Sequence, residues 1–134
     1  MADYVLDSYA VLALLSDEPG ALGLATMIED KRNQFWMSVV SLGEVYYIVA
    51  RKEGEPAAAQ AISDIQSQEN VTVLDATLDR VLLAAKFKIA GRLSYADSFA
   101  CGLAAEHNAA VLSGDPELRS VEGVEVLWPP PAEQ

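Results

Sequence analysis

Short apolar runs alternate with longer stretches in which apolar residues recur every three or four positions. The short runs predict strands over residues 4–6, 35–39, 71–74, 109–112 and 124–127. The longer stretches predict helices over residues 8–15, 21–31, 41–53, 56–65, 78–90 and 94–107. Pro19 is expected to start the second helix, and Gly54 and Gly91 are expected to end the third and fifth.

Short apolar strands separated by helices are typical of a parallel sheet covered on both faces. We therefore expect an α/β fold, an α/β/α sandwich around a parallel sheet of four to five strands. The 134 residues suffice for one domain, so we expect a single domain over 1–134 with a proline-rich tail at 129–134.

Composition narrows the class of protein. Hydrophobic residues make up 51% of the chain, which excludes intrinsic disorder, and a single cysteine, Cys101, excludes an internal disulfide. The first residues lack the pattern of a secretory signal, and no apolar run approaches the ~20 residues that span a bilayer. We expect a cytoplasmic protein without membrane contact.

The net charge of −11 bears on the choice of partner. Twenty acidic residues stand against nine basic ones, which is the wrong sign for a protein that binds nucleic acid with its whole surface. A polyanion bound to this chain therefore needs a metal cation or a local basic patch, and a basic protein is the other partner that the charge favours.

Four acids stand where a sheet of this kind places its ligands. Asp7 and Asp115 directly follow predicted strands, and Glu44 and Asp97 lie near predicted helix starts. Ligands bind at the carboxyl ends of parallel strands, so these acids are expected to meet. Carboxylates crowded together repel, and an all-oxygen ligand set suits Mg²⁺ or Mn²⁺, which can activate water for phosphodiester cleavage.

Helix capping is the structural alternative for each acid. Ser41 and Glu44, and likewise Ser94 and Asp97, have the spacing of a capping box. Asp7 could be an N-cap, and Asp115 could begin a turn before Pro116.

Four segments together resemble the acidic motifs of PIN-domain ribonucleases, with the VapC-type toxins of toxin–antitoxin pairs as the nearest likeness. They are, in order, VLDS (5–8), SLGEV (41–45), LSYADSFA (93–100) and LSGD (112–115). The resemblance implies that Asp7, Glu44, Asp97 and Asp115 are the catalytic metal ligands. It also identifies Ser113 with a small hydroxyl residue before the last acid, and we assign Ser113 to substrate binding.

The same resemblance implies a Mg²⁺- or Mn²⁺-dependent endoribonuclease that cleaves tRNA or rRNA, a cognate antitoxin and a homodimer. Lys86, Lys88 and Arg92 form the densest basic group and could contact phosphates, although a solvated helix face is the commoner explanation for such residues.

Two further alternatives remain open from the sequence. One is a receiver-like module in which Asp75 accepts a phosphate, although no lysine follows Arg92. The other is a PIN-like protein that retains the acids but acts by binding a partner.

Overall fold

The central sheet is the frame of the molecule, which is a computed structural model describing residues 2–133. Its five strands are β1 (Asp3–Leu6), β2 (Gln34–Ser38), β3 (Val71–Leu74), β4 (Ala110–Leu112) and β5 (Val126–Leu127). All neighbouring strands run parallel, in the spatial order β3-β2-β1-β4-β5. The predicted α/β fold with a parallel sheet is confirmed, with five strands.

Helices connect the strands. They are α1 (Ser8–Leu15), α2 (Ala21–Glu29), α3 (Val39–Glu53), α4 (Glu55–Gln66), α5 (Leu78–Ala90), α6 (Tyr95–His107) and α7 (Pro116–Arg119). A 3-10 turn, Pro131–Glu133, ends the described chain. Within residues 2–133, no helix is both long enough and apolar enough to cross a membrane.

The sheet has a hydrophobic core on each face. Leu6 and Phe35 pack on one side against residues from α1 to α4, whereas Val5 and Val111 pack on the other against α6. Val5 and Leu6 are neighbours in sequence and both are buried, because successive strand residues point to opposite faces. Cys101 lies in the second core, as a small buried residue.

Strand register brings three polar residues to the same edge. Leu6 of β1 lies beside Met37 of β2 and Leu112 of β4. The chain therefore continues into Asp7, Ser38 and Ser113 at the carboxyl ends of three adjacent strands. This edge is where the sequence places the predicted site.

One helix start differs clearly from the prediction. Helix α3 begins at Val39, because the Ser38 hydroxyl caps it by accepting a hydrogen bond from the Val40 N–H at 3.1 Å. Ser41 is thus a buried residue inside the helix, not its start. Helix α2 begins at Ala21, as predicted, but its N-cap is Gly20, with a φ of +100°, so Pro19 lies outside the helix.

The end of the chain packs on α2. A carboxylate oxygen of Glu133, in the 3-10 turn, accepts a hydrogen bond from the Gly23 N–H at 2.5 Å. A Cβ atom at position 23 would collide with the Glu133 side chain. The contact with the proline-rich tail therefore depends on a glycine at this position.

Candidate metal centre

Helix N-termini hold three of the four predicted acids. Asp7 caps α1 and accepts a hydrogen bond from the Ala10 N–H at 2.9 Å, and Asp115 caps α7 and accepts one from the Glu117 N–H at 3.0 Å. Asp97 lies in the first turn of α6, where its N–H donates to the Ser94 hydroxyl at 3.1 Å. The capping interactions therefore exist, and the same helix dipoles stabilise negative charge at the shared edge.

Glu44 reaches this edge from the second turn of α3. Its carboxylate accepts hydrogen bonds from the Ser8 hydroxyl and, at 3.3 Å, from the Tyr47 hydroxyl. The capping-box alternative for Ser41 and Glu44 is wrong, because Ser38 caps this helix. Glu44 is instead hydrogen-bonded to Ser8, the residue that follows Asp7.

Ser113 lies between two of the acids. It is completely buried, and its hydroxyl accepts a hydrogen bond from the Asp115 N–H at 3.1 Å. The same hydroxyl lowers the pKa of Asp7. These contacts show Ser113 positioning acids, whereas its contact with a substrate stays a prediction.

Glu117 joins the cluster and was missed from the sequence. Carboxylate oxygens of Asp97, Asp115 and Glu117 all lie within 4.8 Å of one another, a spacing suited to a shared cation. The sequence signal was available: Glu117 follows Asp115 by two positions and directly follows Pro116, which starts α7.

Asp7 and Asp97 are the strongly perturbed groups of this cluster. The pKa of Asp7 is raised from 3.8 to about 7, mainly by burial and also by the charges of Asp115 and Glu44, against the lowering effect of Ser113 and Ala10. Burial also raises the pKa of Asp97 to about 7, assisted by its hydrogen bond with Asp115 and by the charge of Asp7. Without a cation, the site therefore resists full ionisation near neutral pH.

One buried carboxylate oxygen of the site lacks a hydrogen bond of standard geometry. Asp7 Oδ2 is enclosed and receives no such bond from any residue within 2–133, although the nearby Ser113 hydroxyl stabilises its charge and the other Asp7 oxygen is bonded to Ala10. Leaving such an acceptor unsatisfied costs about 1–3 kcal/mol, and more when the group is charged. An orphaned carboxylate oxygen beside further carboxylates is a donor set that fits a hard divalent cation.

The predicted basic group divides into two parts. Lys88 donates a hydrogen bond to the Leu93 carbonyl, in the loop that leads to α6 and Asp97. Lys86 and Arg92 are exposed and line a surface cleft whose other wall, residues 120–122, follows α7. The structure therefore places this group beside the segments that carry Asp97 and Glu117.

The raised pKa of Asp7 predicts a pH-dependent stability for the metal-free protein. An acid whose folded pKa exceeds its unfolded value favours folding in its protonated form, so stability falls as pH rises from about 4 to about 7. By linkage, Asp7 alone lowers the free energy of unfolding over this pH range by at most about 4 kcal/mol. In EDTA, the free energy of unfolding should be larger at pH 5.5 than at pH 8, and Asp7→Asn should reduce that difference.

Asparagine keeps the N-cap of α1, so the variant removes the charge and not the helix start. Exposed Glu69, changed to Gln, is the matched control and should preserve the pH dependence of the wild type. Urea titrations at several pH values measure the effect. Identical pH slopes for the wild type and Asp7→Asn would contradict the assignment.

Comparison with known proteins agrees with this geometry. Residues 4–124 match the PIN domain family model, and no curated protein sequence matches the chain significantly. Among solved structures, VapBC2 from Rickettsia felis bound to a promoter DNA fragment has a similar fold. It is 12% identical, covers 93% of this chain and 97% of that one, and has a TM-score of 0.73.

Two other solved structures are similar to the same degree. VapC20 from Mycobacterium tuberculosis, a sarcin-ricin loop cleaving toxin, is 19% identical over 92% of this chain and 98% of that one, with a TM-score of 0.73. DNA-bound VapBC from Salmonella typhimurium is 12% identical over 95% and 98%, also with a TM-score of 0.73. The family match covers most of the chain and the fold agrees with VapC-type structures, and the chain therefore belongs to the PIN domain family.

Proposed function

We propose that this protein is a metal-dependent endoribonuclease and the toxin component of a toxin–antitoxin pair. The observation that carries the proposal is the convergence of buried Asp7, whose Oδ2 lacks a hydrogen bond of standard geometry, with the carboxylates of Asp97 and Asp115. A set of acids that serves only as helix caps has no reason to converge and raise one another's pKa values.

Asp7, Glu44, Asp97 and Asp115 hold Mg²⁺ or Mn²⁺ in this proposal, and Glu117 is a fifth candidate ligand. When bound, the ion supplies a nucleophilic water at neutral pH and offsets negative charge on the leaving 3′ oxygen of a phosphodiester.

The chain's own contribution is to hold these acids in place. Backbone N–H groups orient Asp7 and Asp115, and the Ser8 and Tyr47 hydroxyls orient Glu44. Side chains held by such contacts need little reorganisation when a phosphodiester arrives.

Cellular RNA, such as tRNA or rRNA, is the proposed substrate. The VapC20 structure supports this choice because that protein is described as cleaving the sarcin-ricin loop. The net charge of −11 opposes a polyanion, so the cation and the Lys86 and Arg92 side chains must supply the attraction.

An antitoxin is the proposed protein partner. Several similar structures are toxin–antitoxin assemblies, among them one from Klebsiella pneumoniae. A partner that inserts Arg or Lys among the carboxylates would form charge-assisted hydrogen bonds and compete with the cation.

A homodimer is the proposed assembly, and one face of α5 supports it. The α5 stripe consists of Leu78, Leu82 and Ile89, whose exposed fractions are 70%, 52% and 86%. With Ala85, these residues repeat at intervals of four, three and four positions, the spacing of a helix face that packs on another helix. Large apolar side chains exposed in a row indicate an association surface.

The receiver-like alternative loses its basis, since the chain belongs to the PIN family. A PIN domain that retains the acids but acts by binding alone is the remaining alternative, and an assay of cleavage separates it from a nuclease.

Loss of a metal ligand should abolish cleavage without unfolding the protein. Wild type should cleave total cellular RNA in Mg²⁺ or Mn²⁺ and lose that activity in EDTA, whereas Asp7→Asn and Asp97→Asn should show only the EDTA background in either metal. Gel analysis measures cleavage. Thermal melting measures the metal-induced shift, which is about 2.7 kcal/mol of stabilisation at 100 times Kd.

Exposed Glu69 serves again as the control, and Glu69→Gln should behave as wild type in both assays. Cleavage that survives in EDTA, or an Asp7→Asn protein as active as wild type, would overturn the nuclease proposal. A wild type with a metal-induced shift but no cleavage would favour the binding-only alternative.

Charge reversal in the basic group should weaken RNA binding but not metal binding. Lys86→Glu and Arg92→Glu should each lower cleavage efficiency and reduce the salt slope of RNA binding by about 1, because each side chain would lose one phosphate contact. Lys31→Glu, an exposed lysine between α2 and β2, is the matched charge control. An unchanged salt slope in both variants would indicate a solvated helix face.

A charge placed on the α5 stripe should separate the homodimer. Wild type should sediment as a dimer, and the Leu82→Glu, Ile89→Glu double variant as a monomer with an unchanged circular dichroism spectrum, because burying two carboxylates is costly. Leu22→Glu, at a 78% exposed position on α2, should leave the dimer intact. A double variant that remains dimeric would place the interface elsewhere.

A further inference from the structure

Tyr9 is a partly exposed aromatic ring at the edge of the acidic site. It stands two residues after Asp7 in the first turn of α1, next to Ser8, which holds Glu44. Its exposed fraction is 39%. Among residues 2–133, its hydroxyl has no hydrogen-bond partner, so no polar contact within the described chain accounts for the hydroxyl of this tyrosine.

The ring lies directly against the turn that carries Asp115. A Cβ atom at position 114 would lie 2.5 Å from Tyr9 Cζ and 2.6 Å from its hydroxyl oxygen, far inside van der Waals contact. The absence of a side chain at Gly114 therefore allows the hydroxyl end of the ring to approach the backbone between Ser113 and Asp115 closely. This contact joins the α1 and β4 sides of the site.

Trp128 fixes the ring from a second direction. Its ring centroid is 5.4 Å from that of Tyr9 at an interplanar angle of 85°, an edge-to-face pair. Trp128 is anchored in turn, because it packs on Gly20 at the start of α2 and against the core on that face. The Tyr9 ring is thus held at the site while part of it stays open to solvent.

From this placement we infer that Tyr9 is a stacking platform for an unpaired nucleobase next to the scissile phosphate. This inference rests on the proposed nuclease function and adds to it a residue that positions the nucleotide at the cleavage point. A paired base has both faces covered by its neighbours, so only a looped or single-stranded base can lie on the ring.

The charge of the protein gives this contact particular weight. Phosphates approach a surface with a net charge of −11, whereas stacking of a neutral base on a neutral ring is not opposed by that field. Every base has a π-face, so the platform tolerates different sequences and positions the backbone near the acids.

The test compares RNA binding and cleavage by wild type, Tyr9→Phe, Tyr9→Leu and Tyr9→Ala. The binding probe is a short single-stranded oligonucleotide in which a methylene group replaces the leaving 3′ oxygen at the cleavage point, so that the phosphorus–carbon bond resists hydrolysis. A matched probe carries an abasic nucleotide beside that point. Stacking of ~1.4 kcal/mol corresponds to a tenfold change in Kd. Wild type and Tyr9→Phe should bind the abasic probe about tenfold more weakly, whereas Tyr9→Ala and Tyr9→Leu should bind both probes equally.

The leucine variant separates stacking from packing, because leucine fills space beside Gly114 and Trp128 but offers no flat face. The metal-induced melting shift should be unchanged in all three variants, and Leu22→Ala on α2 should match wild type throughout. In cleavage, Tyr9→Ala should raise KM about tenfold with little change in kcat, and a duplex of the same sequence should be a poor substrate.

Each outcome decides one proposal. If wild type cleaves RNA but does not discriminate the abasic probe, or Tyr9→Leu behaves as Tyr9→Phe, the platform is refuted and the nuclease stands. If wild type binds neither probe, the platform is refuted as well. If wild type binds and discriminates the probes yet cleaves nothing in Mg²⁺ or Mn²⁺, the platform stands and the nuclease proposal fails.

Discussion

Repulsion among carboxylates at one edge of the sheet is the constraint on which the rest of the site depends. Two unit charges 4 Å apart repel by about 4 kcal/mol at an effective dielectric constant of 20, and Asp97, Asp115 and Glu117 lie within 4.8 Å of one another. The fold offsets part of this cost through helix N-termini and buried hydroxyls. Proton retention by Asp7 and Asp97 offsets more, and a divalent cation would replace those protons.

The parallel sheet brings these polar residues together at one edge. Because β1, β2 and β4 end at the same level, Asp7, Ser38 and Ser113 emerge side by side, each followed by a turn or a helix. Serine at two of these positions supplies hydroxyls that organise the edge, one as the cap of α3 and one between Asp7 and Asp115. The hydrophobic cores on both faces hold the strands, and so hold the acids together against their repulsion.

A strongly acidic protein that acts on RNA needs one set of contacts that attracts the phosphates and another that positions the bases. In the proposed function, the cation and exposed Lys86 and Arg92 would provide attraction that salt weakens, whereas stacking on Tyr9 would provide contact that salt affects little. Lys86 and Arg92 lie on α5 and in the loop after it, and Tyr9 lies at the start of α1. Both segments are adjacent to the acids. The α5 stripe proposed for dimerisation lies next to Lys86, which is four residues after Leu82 and three before Ile89 on the same helix.

The sequence by itself determined the order of the strands and of α1 to α6, the parallel α/β fold and the four acids of the motifs, because these are recorded in local periodicity and in residues next to strand ends; it missed the short α7. It also predicted the end of α6, where Asn108 adopts the left-handed conformation after His107. It did not determine where α3 begins, since Ser38 and Ser41 are equally good caps. Ser38 is selected because β2, which pairs with β3, extends to that residue.

Glu117, the raised pKa values and the contact of Tyr9 with Gly114 depend on distances between segments far apart in the chain. Only the tertiary structure decides them, because burial and proximity arise when those segments pack together.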